Sequence, residues 1–228
     1  MTILVIEHED EAPIGILGER WQEVGHVLDI RRPYLGDDQP AYLGPEHDAL
    51  VVLGGYMGAN DDAEHGWLTQ TKALLADTTR RGEQPVLGIC LGHQLLTVAM
   101  GGVVGRNPSG RAIGLTPIGL TPSGHADPLL TGTDGHDAIQ YNDDVALEDP
   151  SGAIILARTV DGRTQAARFG PLSWGVQFHP EVTAAIFSAW SGATAEQVSS
   201  AYAAEPTLRS TWTAFADRFL ALIPSARS

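Results

Sequence analysis

The sequence predicts an α/β fold: a mostly parallel central sheet with helices on both faces, plus a small antiparallel section. Three observations carry this. Short runs that are apolar throughout alternate with stretches of helical periodicity, as parallel strands covered on both faces require. From 103 to about 177 the pattern changes to short strands broken by Gly, Pro and Asp, which reads as hairpins or a meander. The length of 228 residues, 43% of them hydrophobic, suffices for a full core but not for a second catalytic domain of ordinary size.

The elements follow in order. Residues 3–6 are an unbroken apolar run and read as a buried strand, 16–24 as a helix, and 27–30 as a second strand. A third strand over 49–53 ends in Gly54-Gly55. A helix over 67–79 leads to a fourth strand at 86–89, and a helix over 94–100 is closed by Gly101-Gly102. The middle section offers strands at 113–120, 138–141, 154–157, 165–169 and 172–177. Near the end Leu208, Trp212, Phe215, Phe219 and Leu222 recur at helical spacing, a stripe that predicts core packing rather than a partner-binding face. With no repeat and no long linker, one domain over 1–228 is expected, its core at about 1–190 and a helical extension over about 184–228.

Composition narrows the function. Lys and Arg number 14 against 28 Asp and Glu, a net charge of −14 that repels phosphate backbones, so no nucleic-acid partner is expected. No apolar run reaches the roughly 18 residues of a membrane helix, so no membrane partner is expected. The start turns acidic at Glu7, Glu9, Asp10 and Glu11 with no basic region before it, which is unlike a signal peptide. A cytoplasmic location with a reduced thiol is expected. The single cysteine, Cys90, excludes an intramolecular disulfide framework and a cysteine-rich zinc site. The eight histidines include no pair at i, i+4, so no metal is expected, and no phosphate loop or dinucleotide turn calls for a cofactor. The acidic cluster of Glu7, Glu9, Asp10 and Glu11, and Asp134, Asp137, Asp143 and Asp144, read as solvated.

The stretch Gly88-Ile89-Cys90-Leu91-Gly92-His93-Gln94 carries chemistry. It places Cys90 between a strand and a helix with glycine at −2 and +2, the thiol form of the nucleophile elbow. The helix N-terminus there favours a thiolate, and the turn aims the Leu91 N–H where an oxyanion would develop. Downstream lies Phe178-His179-Pro180-Glu181. Residues i and i+2 of an extended segment share a side, so Glu181 can orient the His179 imidazole while His179 takes the proton of Cys90. The turn Gly54-Gly55-Tyr56-Met57-Gly58-Ala59-Asn60-Asp61 follows the third strand, at the sheet end where active sites gather, and the Gly55 N–H is a second oxyanion donor there.

These motifs resemble the class I glutamine amidotransferase family, and 54–61 is similar to the oxyanion strand of members like the glutaminase domain of GMP synthase. The likeness spans about residues 45–185. It implies a flavodoxin-like amidotransferase fold and hydrolysis of the glutamine side-chain amide through a γ-glutamyl thioester on Cys90. It also implies Gly55 and Leu91 at the oxyanion, Gln94, Tyr56 and Met57 at the substrate, and an ammonia acceptor in the form of a separate synthetase subunit. A stand-alone γ-glutamyl hydrolase or peptidase using the same triad, and a catalytically silent binding domain, are the alternatives. Two stretches depart from the family. Members often carry Gly-x-Glu-x-Gly where this chain has Gly110-Arg111-Ala112-Ile113-Gly114, and aromatic-His-Gly-Asp where it has Tyr141-Asn142-Asp143-Asp144. Both stretches are expected to border the substrate pocket, so a γ-glutamyl compound other than glutamine is a candidate substrate.

Overall fold

The computed structural model describes residues 1–224; the last four residues of the expected helical extension lie outside the described residues. The elements are β1 (Thr2–Ile6), α1 (Gly15–Glu23), β2 (Val27–Arg31), β3 (Ala49–Val52), α2 (Trp67–Arg81), β4 (Val86–Ile89), α3 (Leu91–Ala99), β5 (Val103–Arg106), β6 (Ala112–Pro117), β7 (Gly119–Leu120), α4 (Pro122–His125), β8 (Asp137–Asn142), β9 (Asp144–Glu148), β10 (Ile154–Arg158), β11 (Thr164–Gly170), β12 (Ser173–Val176), α5 (Ala184–Ala189) and α6 (Ala195–Ala221). The main sheet has the order β2-β1-β3-β4-β12-β11-β10-β7. It is parallel from β2 through β12 and antiparallel from there to β7.

The unbroken apolar strands are explained by two cores, one on each face. Ile3, Val5, Val51 and Ile89 pack with Leu17 and Trp21 of α1 and Phe215 and Phe219 of α6. Their alternates Leu4, Ile6, Leu50 and Val52 pack with Leu74 and Leu75 of α2 and Leu95 and Leu96 of α3. Each strand residue therefore faces one helical layer or the other. The closing stripe is core: Leu208, Trp212, Phe215 and Phe219 are buried, and Trp21 donates its indole N–H to Ala216 O at 3.1 Å.

Two expectations change. The helix after Cys90 begins at Leu91 rather than 94, because the elbow runs directly into its first turn. The single strand expected over 113–120 is two. Pro117 has no N–H to continue a ladder, so β6 ends there against β8, and Gly119–Leu120 crosses to the edge of the main sheet on β10. The expected hairpin section is present: β12, β11, β10 and β7 continue the main sheet in antiparallel fashion, beside the small β5–β9 and β6–β8 pairs. Among the described residues no helix is long and apolar enough to cross a membrane, and no group of three or more His, Cys, Asp or Glu is placed to hold a metal ion.

Candidate active site

Register brings the two sequence motifs together. β4 and β12 run parallel with Gly88 opposite Gly175 and Ile89 opposite Val176, so both chains leave the sheet at the same level. The Cys90 N–H donates to Val176 O at 2.8 Å, and the His179 N–H donates to Ile139 O of β8 at 2.9 Å. Nucleophile candidate and base candidate are thus pinned by backbone bonds to neighbouring strands.

Cys90 sits at φ 51°, ψ −105°, the only non-glycine at positive φ among the described residues. Such a conformation costs about 1–3 kcal/mol and persists only where its surroundings over-determine it. The flanking glycines show how. A Cβ on Gly92 would lie 2.0 Å from Val52 O, so only glycine lets α3 start this close to β3. A Cβ on Gly54 would lie 3.0 Å from His179 Cε1 and 3.6 Å from Cys90 Cβ, so imidazole and thiol converge over this glycine.

His179 Nδ1 and Glu181 Oε1 are 2.7 Å apart, with the side chains 3% and 0% exposed. Burial opposes charge on the ring, but the Glu181 carboxylate and the Cys90 thiol outweigh it and hold the His179 pKa above the ordinary histidine value. His179 Nε2 is buried without a hydrogen-bond partner among the described residues. The Cys90 S–H donates to Tyr141 O at 3.8 Å rather than to the ring, although the thiol is near enough to raise it. The backbone that carries this carboxylate is fixed: the Glu181 carbonyl O accepts the Ile16 N–H at 2.8 Å at the start of α1. A thiol beside an imidazole whose far nitrogen is held by a carboxylate has the parts of a nucleophile, base and orienter.

The other predicted residues gather around the thiol. The N–H groups of Gly55 and Leu91 take no acceptor among the described residues, Leu91 because the first turn of a helix leaves its donors free. Gly55, Tyr56, Met57 and Gln94 line a cavity of about 510 Å³ that opens on Cys90, a size that suits an amino-acid-sized ligand. Tyr56 stands exposed at the rim, while Met57 is buried beneath it. Gln94 Nε2 donates to Asp144 O at 2.9 Å and Gln177 Oε1 at 3.2 Å, so this amide also ties β9 to α3.

Several residues at the site were not singled out by sequence. Trp190 packs edge-on against the His179 ring at 4.9 Å and donates its indole N–H to Glu11 O at 2.8 Å. Nothing in the sequence marks it, because it lies in a loop after α5. The two departures from the family pattern prove to be neighbours: Arg111 lies 3.7 Å from Asp143 and stacks over Tyr141 at 4.5 Å, and all three line the cavity. The reading of solvated carboxylates holds for Asp10, Glu11, Asp134, Asp137 and Asp143, which are exposed, and needs correction at Glu7, Glu9 and Asp144. Glu7 is buried and bonded by Arg32 Nε at 2.8 Å. Glu9 is half-buried, and Glu9 and Glu11 line a second cavity with His179. Asp143 and Asp144 line the first, where burial raises the Asp144 pKa, opposed by Arg106 and reinforced by Asp143 and Asp61.

Comparison with known proteins identifies the family and the fold. The sequence model for the family described as glutamine amidotransferase class-I matches residues 22–188. A glutamine-hydrolyzing GMP synthase subunit of Saccharolobus solfataricus is 44% identical over 172 residues, covering 70% of this chain and 85% of that one. The glutamine amidotransferase-like protein YfeJ of Salmonella typhimurium is 30% identical over 190 residues, covering 80% and 77%. A solved glutamine amidotransferase from Thermotoga maritima superposes with a TM-score of 0.86 over 99% of each chain; at 23% identity this likeness speaks for the fold alone. With a family match over most of its length, and the elbow and histidine motifs meeting where the neighbouring strands β4 and β12 end, the chain belongs to the class I glutamine amidotransferase family.

Proposed function

We propose that this chain, acting as one amidotransferase unit over 1–228, hydrolyses the side-chain amide of glutamine or a close γ-glutamyl compound. The observation that carries this is the buried His179–Glu181 pair, 2.7 Å apart, with its free Nε2 beside a cysteine held at positive φ. His179 takes the Cys90 proton, and the thiolate attacks the γ-carbonyl carbon. The Gly55 and Leu91 N–H groups receive the developing oxyanion. His179 then protonates the departing nitrogen, ammonia leaves, and water activated by the same ring cleaves the thioester to glutamate and free Cys90. Glu181 keeps the ring in the tautomer that presents Nε2 to sulfur. Gln94, Tyr56 and Met57 bound the substrate cavity.

The relatives named as glutamine-hydrolyzing GMP synthase subunits support a second proposal, that the ammonia serves a synthetase on a separate chain. An electrophilic glutamine analogue tests the chemistry. It is expected to label wild type at Cys90 and to spare Cys90→Ser, with ammonia released from glutamine by wild type alone. Absence of labelling in the folded wild type overturns the proposal and leaves a silent binding domain.

A further inference from the structure

We infer that the cavity on the His179 side of the thiol is a leaving-group site for an amine bearing a second positive charge, so that this chain prefers γ-glutamyl amides of diamines over uncharged or anionic amides. The inference rests on the thioester reading above and names its substrate class.

The two cavities divide the scissile bond between them. Cys90, Gly55, Tyr56, Tyr141 and Ser191 line both. Gln94 and Met57 belong only to the larger one, and His179, Trp190, Glu9 and Glu11 only to the smaller. The group that protonates a leaving nitrogen must stand on the leaving side. His179 does: its side chain is 3% exposed, its Nε2 has no partner among the described residues, and it lines the smaller cavity. The acyl half of the substrate then occupies the larger cavity and the amine half the smaller.

Size and charge describe that amine. The smaller cavity holds about 120 Å³, against about 30 Å³ for one water-sized molecule such as ammonia. It accommodates a short chain of about four heavy atoms. Glu9 and Glu11 are among the residues that line it, and neither pairs with a cationic side chain in a salt bridge among the described residues. Glu9 is pushed up by burial and by the Glu11 charge, with His179 and the Tyr56 N–H pulling the other way. The one basic group lining this space among the described residues, His179, is already paired with Glu181, so the surplus of carboxylates favours a cation there, beside the Trp190 and Tyr141 rings. The same surplus repels the free carboxylate that the leaving half of a γ-glutamyl peptide would bring. In the reaction the Cys90 sulfur–carbon bond forms, the carbon–nitrogen bond breaks, and the leaving nitrogen takes its proton from His179. The distal ammonium stays charged between the two carboxylates, and water then releases glutamate.

Three γ-glutamyl amides of matched length test this: the 2-aminoethyl amide, the n-propyl amide and the amide of glycine. In wild type kcat/KM for the cationic amide is expected to exceed that for the neutral one about tenfold, and the anionic amide to fall below both. In a Glu9→Gln, Glu11→Gln double variant the cationic-to-neutral ratio is expected to drop to within about threefold of one. Because each ratio is taken within one protein, a general loss of activity does not affect it. A second reading needs no turnover: 1,2-diaminoethane should slow alkylation of wild-type Cys90 by iodoacetamide at concentrations where n-propylamine does not. Equal ratios in wild type, an unchanged ratio in the double variant, or equal protection by the two amines overturns the inference. Loss of labelling at Cys90 instead overturns the thioester reading beneath it, so the two failures are distinguishable.

Discussion

Replacing Glu181 by Gln keeps the shape of the orienting side chain and removes its charge. The bond at stake is the 2.7 Å contact to His179 Nδ1 between two buried side chains. Hydrogen bonds to a charged group contribute about 1.5–3 kcal/mol. At about 1.36 kcal/mol per decade, that predicts a fall of roughly ten- to 150-fold in the rate of thioester formation. The direction of the accompanying titration is fixed by the surroundings. Burial opposes charge on His179, and Glu181 is the first of the groups that overcome it, so Glu181→Gln should bring the ring down toward or below its ordinary range. Alkylation of Cys90 by iodoacetamide, followed between about pH 5 and 9 where thiols and imidazoles titrate, reads this shift directly, and ammonia release reads the rate. The backbone O of Glu181 keeps its bond to Ile16 N in the variant, so the loop should stay in place. Sign matters for stability as well: a raised histidine stabilises the fold fully below about pH 6.5 and loses that contribution as pH rises through its folded value, so the stability loss should be largest in acid. Alkylation and turnover both within twofold of wild type, at every pH, would refute the orienting role.

Three further outcomes are expected. Gly54→Ala places a methyl 3.0 Å from His179 Cε1, which should displace the ring and slow Cys90 labelling about tenfold or more with little change in the melting midpoint; unchanged labelling contradicts the convergence over Gly54. His8 and His93 are buried and held neutral, down to about 3 by burial and then His65, and down to about 4 by burial, respectively. Because unfolded histidine protonates near 6.5, each should remove about 2 kcal/mol of stability between pH 6.5 and 5, while His179 adds nothing to that limb. Urea midpoints at the two pH values should show His93→Leu losing about half of the combined drop, and equal drops in variant and wild type would count against it. Finally, Arg111→Glu alone sets a carboxylate against Asp143 and should raise the KM for glutamine about tenfold, whereas Arg111→Glu with Asp143→Gly should recover most of it; additive effects would show that the two positions are not coupled.

What the sequence reveals here follows physical locality. Strands β1, β3 and β4 were legible because burial on both faces demands unbroken apolar runs, and the closing stripe because one helix face packs on the core. The elbow was legible because its residues are contiguous: Gly88 is forced by Gly92 O and His93 N within the same turn, whereas Gly92 is forced by Val52 O of β3. The pairing of His179 with Glu181 was readable from a spacing of two. Local pattern says nothing, however, of which distant loops cover the thiol. Trp190 reaches the imidazole, and Glu9 and Glu11 reach the second cavity, only through the docking of α5 and the loop after β1. The acidic loop read as solvated for the same reason: a carboxylate beside a remote arginine, such as Glu7 with Arg32, looks in sequence like any exposed charge. The split of 113–120 turned on which partner strands were in reach, which periodicity does not encode.

The order of strands has a consequence for synthesis. β12 lies between β4 and β11, and its Val176 carbonyl accepts the amide of Cys90. A growing polypeptide emerging from the ribosome therefore presents the sulfur-bearing turn long before the segment that locks it. During that interval the edge of β4 lacks its neighbour, and the strained thiol lacks both imidazole and carboxylate. Only when the segment through Glu181 has been delivered and slotted beside β4 do these groups meet, so a truncated nascent product carries the sulfur without its neighbours.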